Sequence, residues 1–206
     1  EIAALLSTAA PVAPLHRAQP APSAVSTHDG PVVALRGMGA LLPASIGSLP
    51  SAWRMAACGH NTIGEVPASR WDSASVAPRS DDVDARVRHG GFLVGAERFD
   101  RTFFGVSPAE AAAMDPQQRL LLERGYEALH AAGHDRASLL GSNVGVFVGV
   151  TYMDFAEVLK ASPLGQSVYA ATGAAHAIAS GRLSYIFGLQ GPCAAYDTAC
   201  SSTLTA

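Results

Sequence analysis

From Pro31 onward, apolar residues fall into short runs and helix-spaced stripes, separated by glycine, proline and charged clusters. Pro31 to Leu35 reads as a buried strand entering a turn at Gly37-Met38-Gly39. Ser48 to Cys58 predicts a helix with Pro50 in its first turn and Gly59 just past its end. Residues 60–100 are loop-rich, and the charged run Arg79 to His89 reads as a solvated excursion. Ser107-Pro108-Ala109-Glu110 has the form of a capping box. Asp115 and Pro116 then open a second helix, with Leu120, Leu121, Tyr126 and Leu129 as its apolar face and Gly133 as its stop. Asn143 to Val150 is an apolar, β-branched strand. Gly173 to Tyr185 predicts a close-packed helix with Ala175, Ile178, Ala179 and Leu183 turned inward. Cys193 to Tyr196 suits a short buried strand, and Ser201 to Ala206 the first turn of a further helix. Such alternation gives an α/β class with a mainly parallel sheet.

Residues 1–30 depart from this pattern. Thr8 to Gly30 is rich in Ala, Pro and Ser, with Pro11, Pro14, Pro20 and Pro22, and reads as a linker of polyproline character. A targeting peptide is the alternative, but a basic start followed by an apolar core is missing. Over all 206 residues, 49% apolar and 15% charged content indicates a folded domain with a substantial core. A net charge of −3 gives no reason to expect nucleic acid as a partner. No run approaches the roughly 20 apolar residues of a membrane helix. Three widely spaced cysteines do not form a disulfide framework and point to a reducing, intracellular compartment, the cytoplasm or an organelle. Cys58 and Cys193 read as packing residues. His130 and His134, four apart near a helix end, lack a third ligand, so no metal is expected there. Neither Gly37-Met38-Gly39 nor Gly145 to Gly149 has the spacing of a dinucleotide loop.

Cys200 carries the candidate chemistry. It lies in Asp197-Thr198-Ala199-Cys200-Ser201-Ser202, between the predicted last strand and the predicted last helix. There, unpaired N–H groups favour an anionic sulfur, and a thiolate is the nucleophile of acyl transfer. The local pattern suits a buried structural cysteine as well.

Beyond these local readings, Asp197-Thr198-Ala199-Cys200-Ser201-Ser202-Thr203-Leu204 resembles the active-site motif of β-ketoacyl synthases, the condensing enzymes of modular polyketide synthases. The segment Gly181-Arg182-Leu183-Ser184-Tyr185-Ile186-Phe187-Gly188-Leu189-Gln190-Gly191-Pro192 resembles the stretch leading into it. Ala113-Met114-Asp115-Pro116-Gln117-Gln118-Arg119 through Glu123, Phe103-Phe104-Gly105-Val106-Ser107-Pro108, Arg70-Trp71-Asp72 and Gly145-Val146-Phe147-Val148-Gly149 resemble further motifs, in the family's order. The similarity runs from about Pro31 to Ala206.

This resemblance implies a thiolase-like fold, layered αβαβα, of which the chain supplies the N-terminal half. The expected organisation is a linker over 1–30 and a ketosynthase domain over 31–206, truncated just after the nucleophile. The first residue, Glu1, and a last residue only six beyond Cys200 also suggest part of a longer product. Cys200 is implied as the acyl-accepting catalytic residue. Its substrates would arrive on the phosphopantetheine of an acyl carrier protein, with no cofactor bound directly, and the complete domain would be a homodimer. Val168 to Ala179 resembles a stretch that lines the dimer interface and acyl pocket in the family. Ala170 and Thr172 are therefore acyl-pocket candidates, although both also suit a core helix. The family's two catalytic histidines and its lysine belong to motifs C-terminal to the cysteine, and none of the seven histidines here stands in such a motif. The chain alone is accordingly expected neither to condense substrates nor to fold properly.

Tyr196, Thr203, Cys193 and the run Leu41-Leu42-Pro43 depart from the usual family pattern and leave substrate choice open. A fatty acid-type condensing enzyme is the alternative. A non-catalytic synthase-like partner is another, but such relatives typically lack the cysteine.

Overall fold

The computed structural model describes residues 33–72, 83 and 87–206. The expected linker and most of the charged run therefore lie outside the described residues. So do Pro31 and Val32; the rest of the predicted first strand, from Val33 on, forms no ladder. Val33 and Leu35 are exposed, which corrects the expectation of a buried strand. Apolar content alone does not make a strand without a neighbour to pair its backbone.

Helix α1, Leu49–Ala57, forms as its sequence requires: Ser48 caps it through the Ser51 N–H, and Pro50 sits where no helical N–H is needed. In the loop-rich segment, β1 (Gly64–Glu65) and β2 (His89–Gly90) make a short antiparallel ladder. Helix α2, Pro108–Ala113, is capped by Ser107, whose Oγ accepts from the Glu110 N–H at 3.1 Å. Only this half of the predicted capping box forms, because the Glu110 carboxylate is taken by Arg182 instead.

Helix α3, Pro116–Ala131, begins at Pro116 behind the Asp115 cap. Its innermost side chains are Gln118 and Leu122, not the Leu120–Leu121 pair; Leu121, Tyr126 and Leu129 flank the core. Helix α4 (Arg136–Leu139) leads into β3 (Val146–Gly149). Next come α5 (Asp154–Lys160), a 3₁₀ turn (Pro163–Gln166), α6 (Ala170–Ala174) and α7 (His176–Phe187). The single helix expected over 173–185 is thus two, broken at Ala175, whose ψ of 131° is extended. Gly173 explains the break's position: a Cβ there would stand 1.9 Å from the Ala113 carbonyl oxygen, so only glycine lets α6 close on the end of α2.

Strand β4, Cys193–Tyr196, pairs parallel with β3, Val146 opposite Cys193 and Gly149 opposite Tyr196. A 3₁₀ turn (Ala199–Ser201) and α8 (Ser202–Thr205) follow. The core joins Phe104, Met114, Leu122, Val148, Leu183 and Phe187 from the loop before α2, the α2–α3 link, α3, β3 and α7. Phe104 contacts Phe99, Phe103 and Phe187 ring to ring. Against expectation, β4 is only half-buried, and Cys58 and Cys193, read as packing residues, are exposed, as is Cys200.

Candidate active site

Parallel pairing carries β3 and β4 to the same end of their ladder, where the Val150 N–H still donates to the Tyr196 carbonyl at 3.0 Å. The chain then turns sharply. Asp197 Oδ1 accepts the Ala199 N–H at 3.1 Å, an Asx-type turn. Ala199 takes φ +55°, a left-handed conformation that costs an L-residue about 1–2 kcal/mol. Cys200 follows, exposed, in the middle of the 3₁₀ turn, and α8 begins two residues later. The predicted junction of strand, cysteine and helix is present, with a 3₁₀ turn inserted. No described residue accepts a hydrogen bond from the Cys200 N–H.

Interactions around this turn absorb its strain. Ser202 is 5% exposed, and its Oγ meets the Thr198 N–H at 2.9 Å, the Ala199 carbonyl at 2.7 Å and Thr151 Oγ1 at 3.2 Å. The Ser201 hydroxyl donates to the Thr198 carbonyl at 2.9 Å. From below, Gly149 leaves room for the turn: a Cβ there would lie 2.7 Å from Ser202 C and Thr203 N.

Next to Thr151, the Tyr152 carbonyl accepts from Gln117 Nε2 at 2.8 Å and lies 3.0 Å from His176 Nε2. This ties the segment after β3 to the start of α3 and of α7. Gln118 Nε2 faces the carbonyls of Thr172, Gly173 and Ala175, holding the α6–α7 break. Its Oε1 accepts from Arg182 Nε at 2.9 Å, and Arg182 Nη1 pairs with Glu110. Arg182 is 9% exposed, so this charge is buried, paired and hydrogen-bonded together. Burial pulls the half-buried Arg119 guanidinium below its ordinary pKa, opposed by Asp115 and Glu123. Burial likewise pushes the Glu123 carboxyl up, opposed by Arg124.

Ala170 and Thr172 do not share a cavity. Ala170 lines one of about 290 Å³ with Ala156, Leu159, Lys160 and Ala174. Thr172 lines a groove of about 450 Å³ with Glu110, Tyr169, Ile178 and Tyr185, and its hydroxyl donates to the Tyr169 carbonyl at 3.1 Å. Cys200 borders neither. Sequence reasoning passed over Ser202, Thr151 and the Gln118–Arg182–Glu110 network. Gln118 carried a signal: it stands four residues from both Met114 and Leu122, on a stripe otherwise apolar. Ser202 was legible only as part of the run around Cys200; its bonding partners were not, since the turn geometry sets them.

A family model described as "Beta-ketoacyl synthase, N-terminal domain" matches residues 31–206. The chain belongs to this family of condensing enzymes. It is 43% identical over 197 residues to the pikromycin polyketide synthase component PikAII of Streptomyces venezuelae, covering 94% of this chain and 5% of that protein. With the spectinabilin polyketide synthase system protein NorC of Streptomyces orinoci it shares 42% over 205 residues, 98% of this chain and 9% of that one. The ketosynthase from module 6 of the bacillaene synthase of Bacillus subtilis superposes with a TM-score of 0.71 at 32% identity, covering 84% of this chain and 28% of that one. The oxazolomycin ketosynthase domain of Streptomyces albus gives 0.71 at 34%, covering 84% and 30%. The β-ketoacyl synthase chain thus has the thiolase-like α/β fold and corresponds to the N-terminal part of polyketide ketosynthases. It spans only a small share of its curated relatives and under a third of these solved chains.

Proposed function

We propose that Cys200 is the acyl-accepting nucleophile of a polyketide ketosynthase, loaded from a thioester on the phosphopantetheine arm of an acyl carrier protein. The observation that carries this reading is an exposed thiol on a strained turn, followed at once by a helix, whose own N–H has no acceptor among the described residues. The Cys200 sulfur attacks the thioester carbonyl carbon, and charge collects on the oxygen, where the free N–H donates to it. Collapse breaks the carrier's C–S bond, and the departing thiolate takes up the proton that Cys200 gave up. A malonyl-type extender on a second carrier then loses CO₂. The electron pair released attacks the Cys200-bound carbonyl, and the Cys200 thiolate leaves a β-ketoacyl product on the carrier.

The family's polyketide relatives favour this pathway over fatty acid synthesis. Histidines and a lysine for decarboxylation are expected outside residues 1–206, so we propose that this stretch by itself does not condense. Residues 1–30 serve as a linker and 31–206 as the ketosynthase portion, and the complete domain works as a homodimer. No helix among the described residues is long and apolar enough to cross a membrane. Ala170 and Thr172 remain proposed acyl-pocket residues, one in each of the two cavities. The test is intact-mass analysis of the full-length protein after incubation with an acyl-carrier thioester. Wild type gains one acyl group and Cys200→Ala gains none; loading that survives the substitution rules out this nucleophile.

A further inference from the structure

The Ser202 hydroxyl brackets the strained residue. A hydroxyl has one proton and two lone pairs. The Ala199 carbonyl can only accept, so Ser202 donates there; the Thr198 N–H can only donate, so Ser202 accepts from it. One lone pair is left, and Thr151, 3.2 Å away, must supply its own hydroxyl proton to it. The hydrogen-bonding capacity of this buried group is then fully used, and the direction of each bond is fixed.

The consequence falls on Cys200. A trans peptide is planar, with its C=O and N–H pointing opposite ways. The Ala199 carbonyl and the Cys200 N–H belong to one such plane, and the described residues contain no cis peptide. The Ala199 carbonyl is held by the Ser202 hydroxyl and by the Ser202 backbone N–H together, and this aims the Cys200 N–H away from Ser202, with no acceptor among the described residues taking it. Thr151, two residues past β3, ties the clamp to the segment leaving the sheet. We propose that Ser202 and Thr151 are positioning residues that orient the Cys200 N–H toward the oxyanion formed during acyl transfer. This rests on the reading of Cys200 as the acyl acceptor.

Two reactions of the same thiol separate positioning from mere support. Thioester acylation builds charge on a carbonyl oxygen, whereas alkylation by iodoacetamide is a displacement at carbon with no such oxyanion. In the full-length protein, both rates are followed at Cys200 by peptide mass spectrometry. With the side-chain part of the clamp removed and only the Ser202 N–H left on the Ala199 carbonyl, Ser202→Ala is expected to lower acylation by roughly tenfold, the usual order for losing one oriented buried hydrogen bond, while alkylation changes less than about twofold. Thr151→Val is expected to lose about threefold in acylation and Thr151→Ser to restore it; the double variant should be no slower than Ser202→Ala, because Thr151 acts through Ser202. Equal losses in acylation and alkylation, or full acylation in both Ser202→Ala and Thr151→Val, overturn the proposal. Should Ser202→Ala fail to fold, the Thr151 pair decides alone. Wild-type Cys200 that alkylates but never acylates overturns the nucleophile reading and this inference with it.

Discussion

Gly149 has the backbone of Ser202 and Thr203 where a side chain would be, and these atoms cannot swing aside as a rotamer can. Gly149→Ala should therefore destabilise the protein by about 1–3 kcal/mol, the cost of overpacking, and displace the Cys200 turn with it. A lowered midpoint in urea together with slower Cys200 acylation is the expected result; an unchanged midpoint would show that the turn can move aside. The opposite situation holds at Ala44 and Ser45, both at φ +60° in the loop closed by the Leu42–Ile46 bridge. Each left-handed residue costs about 1–2 kcal/mol, while glycine in its place gives back roughly 0.5–1 kcal/mol in unfolded-chain entropy. Ala44→Gly should thus stabilise by up to about 1 kcal/mol, measured by the same denaturation. Asp135 caps α4, accepting the Ser138 N–H at 2.8 Å, and the Ser138 bonds hold its carboxyl below the ordinary aspartate value. A lowered folded pKa means that the stabilisation is present above the ordinary value and lost as pH falls through the folded one. The thermal midpoint of Asp135→Ala should lie below wild type at neutral pH and converge on it in acid; a gap constant with pH would assign the effect to something other than the charge.

Which elements could be read from the sequence follows from where their determinants lie. α1, α2 and α3 start where their caps and first-turn prolines put them, because Ser48, Ser107 and Asp115 act on N–H groups two or three residues away. β3 and β4 were legible as apolar runs, and the Cys200 junction as the point where such a run meets hydroxyl residues. What failed depends on distant contacts. The 173–185 helix splits because Gly173 docks on Ala113 and Gln118 captures the carbonyls at the break. Glu110 abandons its cap for Arg182, 72 residues away. That pair offers an element-scale test. Arg182→Met leaves Glu110 and the Gln118 oxygen without their donor inside the α2–α3–α7 packing, and breaking such a pair costs about 3–5 kcal/mol when fully buried. Glu110 keeps 27% of its side-chain surface in solvent, so a loss of roughly 2–3 kcal/mol is expected. Coupling Arg182→Met with Glu110→Gln should recover part of it, and strictly additive losses would deny the link.

At the scale of residues 35–206, the Gln118–Arg182–Glu110 network is paired inside the fold while large apolar side chains stay open to water. Phe147 on β3 is 49% exposed, and Val168, Tyr185 and Leu204 are each more than four-fifths exposed. Val168 and Tyr185 line one groove together, and it is a contiguous apolar surface of that kind that takes a partner. The histidines tell the same story chemically: His176 meets the Tyr152 carbonyl and His130 contacts the Tyr126 ring, and neither is a hydrogen-bond partner of the Cys200 turn. Loading the thiol and condensing on it should consequently come apart. Expressed alone, residues 1–206 are expected to bind a hydrophobic dye and to sediment as more than a monomer. Given acyl- and malonyl-carrier thioesters, they should yield no β-ketoacyl product. The full-length protein should condense under the same conditions, and Cys200→Ala should abolish that. Product from residues 1–206 alone would mean that a residue within them handles decarboxylation, and a monomer blind to the dye would mean that the open faces are stable in water.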